Sequence, residues 1–273
     1  MTSRKQQLQK QQRQQQLIAS VCITFISVMY IGVYAGWQAL FGAQPERSVA
    51  ATYVTKVVPG PAPAAEPIFI PDYQLPSAQS GFAPVIYRVP TFQPVVFLTI
   101  DDGVFRHPEA LALLKENHIK ATLFLVNDII AADPGYFANL AQGTGSVIEN
   151  HTVDHKLLTH LNYDQQKQEI CGNAEGFAKQ FGKRPRLFRP PGGDFNAITQ
   201  RAAADCGMKA VVMWHAKANG GSMQYQVGDK LLPGDIVLMH FRPEFKQDFQ
   251  AFIEATKAAG LHPQLLEDWM LKG

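Results

Sequence analysis

From residue 93 onward the chain alternates short apolar runs with longer amphipathic segments. PVVFLTI (94–100), ATLFLV (121–126), GSVIEN (145–150), RLFRP (186–190), KAVVMW (209–214), DIVLMHF (235–241) and HPQLLE (262–267) are rich in Val, Ile, Leu and Phe and read as strands. Between them, HPEALALLKENH (107–118), DPGYFANLAQ (133–142), YDQQKQEICGNAEGFAKQFG (163–182), NAITQRAAADCG (196–207) and DFQAFIEATKAAG (248–260) carry helical spacing. Asp133 before Pro134, and Asn196, stand at helix-start positions, and Gly182, Gly207 and Gly260 where helices should stop. Strands and helices in strict alternation predict parallel β/α units. Seven strands of this kind predict an α/β fold, a distorted (β/α)7 TIM-like barrel, rather than an open sheet.

The chain before residue 93 follows another pattern. MTSRKQQLQKQQRQQQ (1–16) is basic and Gln-rich, and LIASVCITFISVMYIGVYAGW (17–37) has no charged residue. About 20 apolar residues suffice to cross a bilayer. The run exceeds the roughly 7–15 residues of a cleavable signal's core, and Phe41-Gly42-Ala43 is a poor cleavage site. Basic residues before the span and few after it place the N-terminus inside. The expected organisation is a cytoplasmic tail (1–16), a transmembrane signal anchor (17–41), a Pro-rich extracytoplasmic linker or arm (42–92) and a domain (93–273), giving a single-pass protein of the cell membrane. Within the linker, PGPAPAAEP should be extended and semi-rigid. IFIPDYQLPSAQSGFAPVIYRVP is expected to lie against the domain as an irregular arm or an edge strand.

Composition changes this picture little. The net charge is +2 over 273 residues and no basic stripe interleaves with aromatics, so no nucleic-acid partner is expected. Cys22 lies in the apolar run. Cys171 and Cys206 fall on the oxidising side, where they either pair or stand as two buried thiols on helices.

The chemistry falls at strand ends, where a β/α barrel carries its functional groups. Asp101 and Asp102 follow the first strand and His151 and His155 the third. Arg189, Pro190, Pro191 and Gly192-Gly193 follow the fourth, Trp214 and His215 the fifth, and His240 ends the sixth. One carboxylate and two imidazoles, with a position left for water, describe a catalytic zinc site. Asp102, His151 and His155 supply such a set. The metalloprotease motif needs Glu beside the first His, and Thr152 stands there instead. On an extended strand Asp101 and Asp102 would point to opposite faces, one free for metal and the other for proton transfer. His215 is a further candidate for the pocket.

LTIDDG (98–103), HTVDH (151–155), FRPPGG (188–193) and IVLMH (236–240), in this order, resemble the polysaccharide deacetylase family, the NodB-homology domain or carbohydrate esterase family 4. The resemblance covers residues 93–270 or so. It implies a distorted β/α barrel that uses a divalent metal, zinc first and cobalt as an alternative, to remove N- or O-acetyl groups from glycans such as peptidoglycan or chitin-like polymers. It assigns Asp101 as general base, Asp102, His151 and His155 as metal ligands, Arg189 as the group orienting the base, and His240 as catalytic acid. Thr152, Pro191, Gly192, Gly193, Trp214 and Leu238 form the implied substrate-binding set, with Leu238 walling the acetyl pocket and Gly192 offering a backbone N–H to the oxyanion.

Three positions depart from the family pattern. Ile100 replaces a usual Phe, and Gly192 a common Tyr, which removes an aromatic wall and adds flexibility. After the fifth strand the family has an Asp and then a Trp, where this chain reads WHAKANGGS with Lys217 or Asn219 near that place. That aspartate pairs with the catalytic histidine, so His240 should be less readily protonated here. Asp194 and Asp235 are the candidates to take its place through space. The resulting expectation is a membrane-anchored, metal-dependent glycan deacetylase. The alternatives are a glycan-binding pseudoenzyme of the same fold and a hydrolase of other non-peptide C–N bonds.

Overall fold

The computed structural model describes residues 67–271. The apolar run at 17–37 and the tail before it lie outside the described residues. Among the described residues no helix is long and apolar enough to cross a membrane.

The strands are β1 (Val85–Ile86), β2 (Val95–Asp102), β3 (Thr122–Leu125), β4 (Val147–Asn150), β5 (Leu187–Phe188), β6 (Ala210–Val212), β7 (Ala216–Asn219), β8 (Ser222–Tyr225), β9 (Ile236–His240) and β10 (His262–Gln264). The helices are α1 (Ala110–Glu116), α2 (Asn127–Ile130), α3 (Pro134–Thr144), α4 (Tyr163–Phe181), α5 (Ala197–Asp205), α6 (Phe245–Ala258) and α7 (Leu266–Met270). β2 and β9 are covered on both faces, which is why they read as unbroken apolar runs. α4 and α5 open on capping boxes, Asn162 with Gln165 and Asn196 with Thr199. α3 opens on Asp133, whose side chain accepts the Tyr136 N–H, and α4 stops at left-handed Gly182. Ile170, Ala174 and Phe177 form the buried apolar stripe of α4. Cys171 and Cys206 form a disulfide that ties α4 to the C-cap of α5.

The sheet runs β1-β6-β5-β4-β3-β2-β9-β7-β8, with β10 beside β2. β2 is shared along its length: its first half pairs with β10 and its second with β3. The distorted (β/α)7 barrel expected from the sequence is found in part. β1 and β8 end the path without pairing to each other, so the fold is an α/β half-barrel. The arm crosses the gap: β1 lies parallel on β6, and an isolated bridge joins Arg88 to Asp235 at the foot of β9. Gly234 permits that approach, since a Cβ there would lie 1.9 Å from the Val89 carbonyl oxygen.

β1, two residues long, is the edge strand expected of the arm. Three further differences have local causes. β7 and β8 form an antiparallel hairpin over WHAKANGGS, turned by left-handed Gly220 and Gly221. α2 is a single short turn. The stretch 262–267 divides into β10 and α7, because Leu266, Trp269 and Met270 pack as a helical face against Phe97 and Val212 beneath the sheet.

Candidate active site

Register builds the site. Phe97, Thr99 and Asp101 alternate onto one face of β2, and Asp101 lies directly beside His240 of β9. Phe97 at the lower end of that face packs edge-on against Trp269, so α7 plugs one end while the polar residues occupy the other.

Arg189 follows β5 and is fully buried. Its Nη1 donates to Asp101 Oδ1 at 2.7 Å and to Thr99 Oγ1 at 2.7 Å. Its Nε donates to Val212 O at 3.1 Å and its Nη2 to Met213 O at 3.0 Å. The guanidinium lies 4.3 Å from the centre of the Phe124 ring. All three guanidinium nitrogens are engaged, so one Asp101 oxygen is pinned while the other, Oδ2, faces His151 Nε2 at 3.7 Å.

Asp102 does not follow strand alternation. Its φ is 71°, and this left-handed step turns its carboxylate toward the same imidazole as Asp101, correcting the opposite-face expectation. Asp102 Oδ1 lies 3.4 Å from His151 Nε2 and 3.2 Å from His155 Nε2. The two histidines are not helical neighbours. They sit in the loop after β4, with Thr152 at φ 73° and His155 at φ 67°, and their rings meet edge-on at 5.1 Å.

That loop is held by residues that the sequence reading did not single out. Asn150 Oδ1 accepts the Thr152 N–H at 3.0 Å, and Glu169 Oε2 accepts the N–H groups of Val153 and Asp154. Asn173 Nδ2 donates to the Thr152 and Leu125 carbonyls. Asn150 ends a strand inside the ENHTVDH stretch, which was the available signal. Asn173 and Glu169 lie mid-helix and gave none.

Three observations fit these residues to a cation. The His151 Nδ1 donates to Arg189 O at 2.7 Å, since a carbonyl only accepts; this leaves the Nε2 lone pair facing two carboxylates. Asp102 Oδ1 is buried without a hydrogen bond. One ligand atom from each of Asp102, His151 and His155 falls within 4.8 Å of the others. Burial works to raise the Asp102 pKa, but interaction with His151 and His155 outweighs it and holds the carboxyl well below the usual range. His155 is pushed up, chiefly by its pairing with the Asp102 carboxylate.

His240 has no carboxylate on its ring. Burial lowers its pKa against the pull of Asp101 and Asp102, and the positive charge of Arg242 lowers it further. The two candidate substitutes for the missing aspartate are engaged elsewhere. Asp194 accepts from the backbone and hydroxyl of Thr159. Asp235 faces His215 Nδ1 at 3.1 Å and Arg88 Nε at 3.5 Å. His215 is thereby a seam residue beside the arm and is not directed to the pocket. Asn219 accepts from Arg242 Nη1 at 2.9 Å. Two residues beyond the Lys217–Leu238 pair stand Asn219 on β7 and His240 on β9.

The remaining predicted positions surround this centre. Pro191 is buried and Gly192 exposed in a tight turn, where Trp214 crosses so close to Gly193 that a Cβ would lie 2.8 Å from its ring. Leu238 lies buried between Thr99 and Lys217 on the sheet. Thr152 is also fully buried, and its hydroxyl accepts the His155 N–H at 3.1 Å, so in this structure it shapes the ligand loop.

A buried arginine thus clamps one carboxylate beside an Asp–His–His cluster at the strand ends of a half-barrel. Residues 88–211 match the model of the family described as polysaccharide deacetylase. A peptidoglycan-N-acetylglucosamine deacetylase of Bacillus cereus is 31% identical over 165 residues, 57% of this chain and 76% of that protein. An uncharacterised protein of Streptomyces coelicolor is 44% identical over 156 residues, 56% of this chain but only 62% of its own length. Among solved structures, the Bc1960 peptidoglycan N-acetylglucosamine deacetylase superposes with a TM-score of 0.60 at 24% identity, covering 70% of this chain and 94% of that one, a likeness of fold. The chain belongs to the polysaccharide deacetylase family.

Proposed function

We propose that this protein is a metal-dependent deacetylase of N-acetylated, and secondarily O-acetylated, glycans of the cell envelope, peptidoglycan or a chitin-like polymer, tethered to the membrane by residues 17–41. The observation that carries it is the Arg189-clamped Asp101 facing Asp102, His151 and His155 at one strand end. The name of the Bacillus cereus relative supports the substrate class. The Cys171–Cys206 disulfide supports an oxidising compartment.

Asp102, His151 and His155 would hold a divalent cation, zinc first, which when bound polarises the acyl carbonyl and acidifies water. The chain's own groups do the rest. Asp101 is fixed through Oδ1, and its Oδ2 accepts the proton of the attacking water. Arg189 keeps that carboxylate aimed. The Gly192 N–H, at the tip of the Pro191–Gly193 turn, donates to the developing oxyanion. His240, adjacent to Asp101 in the sheet, donates a proton to the leaving sugar nitrogen. Trp214 and Leu238 wall the sugar and acetyl ends.

The test is acetate release by the full chain in detergent from N-acetylglucosamine oligomers and from peptidoglycan, with zinc or cobalt and with a chelator. Chelation should abolish release, and Asp101→Asn should lower it by about 10²-fold or more, the usual worth of a general base. Release that survives both would refute the mechanism. Metal retained by the His151→Ala, His155→Ala double variant would refute the ligand assignment. A second reading, a glycan-binding protein without turnover, is favoured by the lack of a carboxylate on His240. Binding of the oligomers without any acetate release from a folded, metal-loaded chain would select it.

A further inference from the structure

Three large apolar side chains stand in the open at the end of the domain opposite the site. Ile68 is 91% exposed, Ile70 75% and Phe92 101%. They are not loose ends. Phe69, between the two isoleucines, turns inward against His262 at 5.1 Å and joins the core with Tyr73 and Leu75. Ile68 and Ile70 are thereby forced outward. Gln93 Nε2 donates to Ile70 O at 2.6 Å and Thr91 Oγ1 donates to Asp72 at 3.0 Å. These bonds tie the backbone around Phe92 to the stretch that carries the isoleucines. His262 pairs with Val95 at the start of β2, whereas Asp101 and Asp102 end that strand. The eight residues of β2 therefore separate the patch from the site, about 26 Å at the usual rise.

Large apolar side chains left in the open on two backbone stretches tied together mark a contact surface. Its place in the chain says which one. Ile68 directly follows the Pro/Ala-rich stretch PGPAPAAEP (59–67), which leads back along the sequence to the uncharged run at 17–37. The tether thus enters the domain at the patch. A tethered surface meets its partner at high effective concentration, so a few apolar side chains suffice to hold it. The cluster itself is uncharged and its neighbour Asp72 is acidic, so the attraction is apolar and needs no anionic lipid.

We infer that Ile68, Ile70 and Phe92 seat the domain on the outer surface of the lipid bilayer, with Asp101, Asp102 and the histidines turned away from the lipid toward the envelope polymer. This rests on the membrane-anchor reading of residues 17–41.

The experiment uses the full chain in phosphatidylcholine vesicles, with Phe92→Trp compared against the unaltered protein and its three tryptophans. The added indole should emit at shorter wavelength than a water-exposed one and lose intensity when the lipid tails are brominated. An added emission at the water-exposed wavelength, equal in plain and brominated vesicles, overturns the inference, provided the chain resists an alkaline wash. That outcome leaves the anchor standing. A chain that washes off the vesicles overturns both. Short-wavelength emission that bromine does not quench shows a protein surface over the patch, such as a second copy, and also overturns the inference.

Discussion

Replacing Arg189 with methionine asks whether the base is held by one buried ion pair, as the geometry implies. The side chain is fully buried and shares a 2.7 Å bond with Asp101, itself 2% exposed. Methionine fills much of the volume but leaves the carboxylate buried without its partner. Breaking a buried pair on one side costs about 3–5 kcal/mol. The carbonyls of Val212 and Met213 also lose their donors, which adds about 1 kcal/mol for each. The expected total of about 5–7 kcal/mol is a large share of the 5–15 kcal/mol of a typical domain.

The assay is urea unfolding of the full chain in detergent, followed by near-ultraviolet circular dichroism with the disulfide kept oxidised. With a slope of about 1–3 kcal/mol per molar urea, the midpoint should fall by roughly 2 M or more. Asp101→Asn made in the Arg189→Met background removes the stranded charge and should restore most of the ion-pair share. The two substitutions must therefore be strongly non-additive. Effects that add to within about 0.5 kcal/mol would refute the claim that these groups stabilise each other.

Two further outcomes follow from the charges. Asn219→Asp places a carboxylate on β7 two residues beyond the Lys217–Leu238 pair, as His240 stands on β9, so the basic limb of the pH profile for acetate release should move up by about one unit; an unmoved limb would remove His240 as the acid or position 219 as its neighbour. Glu149 and Glu267 are buried carboxyls, Glu149 pushed up to about 7 and Glu267 well above its ordinary value, each first by burial and Glu267 also by the charge of Glu149. The folded state keeps protons that the unfolded chain releases near 4.5, so this pair's stabilisation is complete below that pH and is lost as the pH rises through about 7. Glu267→Gln should flatten that fall in urea midpoint, and equal slopes in variant and parent would count against the pair.

Much of the scaffold was legible because its signals are local. Parallel strands buried on both faces write themselves as apolar runs, and the caps at Asp133 and Asn196 are side-chain-to-backbone bonds within three residues. What failed to read is set by distant partners. The barrel does not close because β8 turns back on β7 and the arm occupies the gap, and neither fact has a periodicity. The hairpin did have a signal, Asn219-Gly220-Gly221, which was read only as a departure from a motif. The helix α7 also had one, since Leu266, Trp269 and Met270 are spaced for a helical face. The engagement of Asp235 with His215 and Arg88 had none, because those three residues meet only across the seam.

The site itself was located by strand ends, yet its shape comes from backbone that no pattern announces. Asp102, Thr152 and His155 are three of the non-glycine residues with left-handed φ, and two of them are the proposed ligands flanking His151 in space. Each such step costs on the order of 1–3 kcal/mol and persists only where surroundings over-determine it. Here the surroundings are identifiable. Asn150, Asn173 and Glu169 bind five backbone groups in and around the loop, and Arg189 bonds His151 through its carbonyl and Asp101 through its guanidinium. The same arginine therefore sets the distance between base and ligand loop. This explains how His151 and His155 converge without a helix to present them.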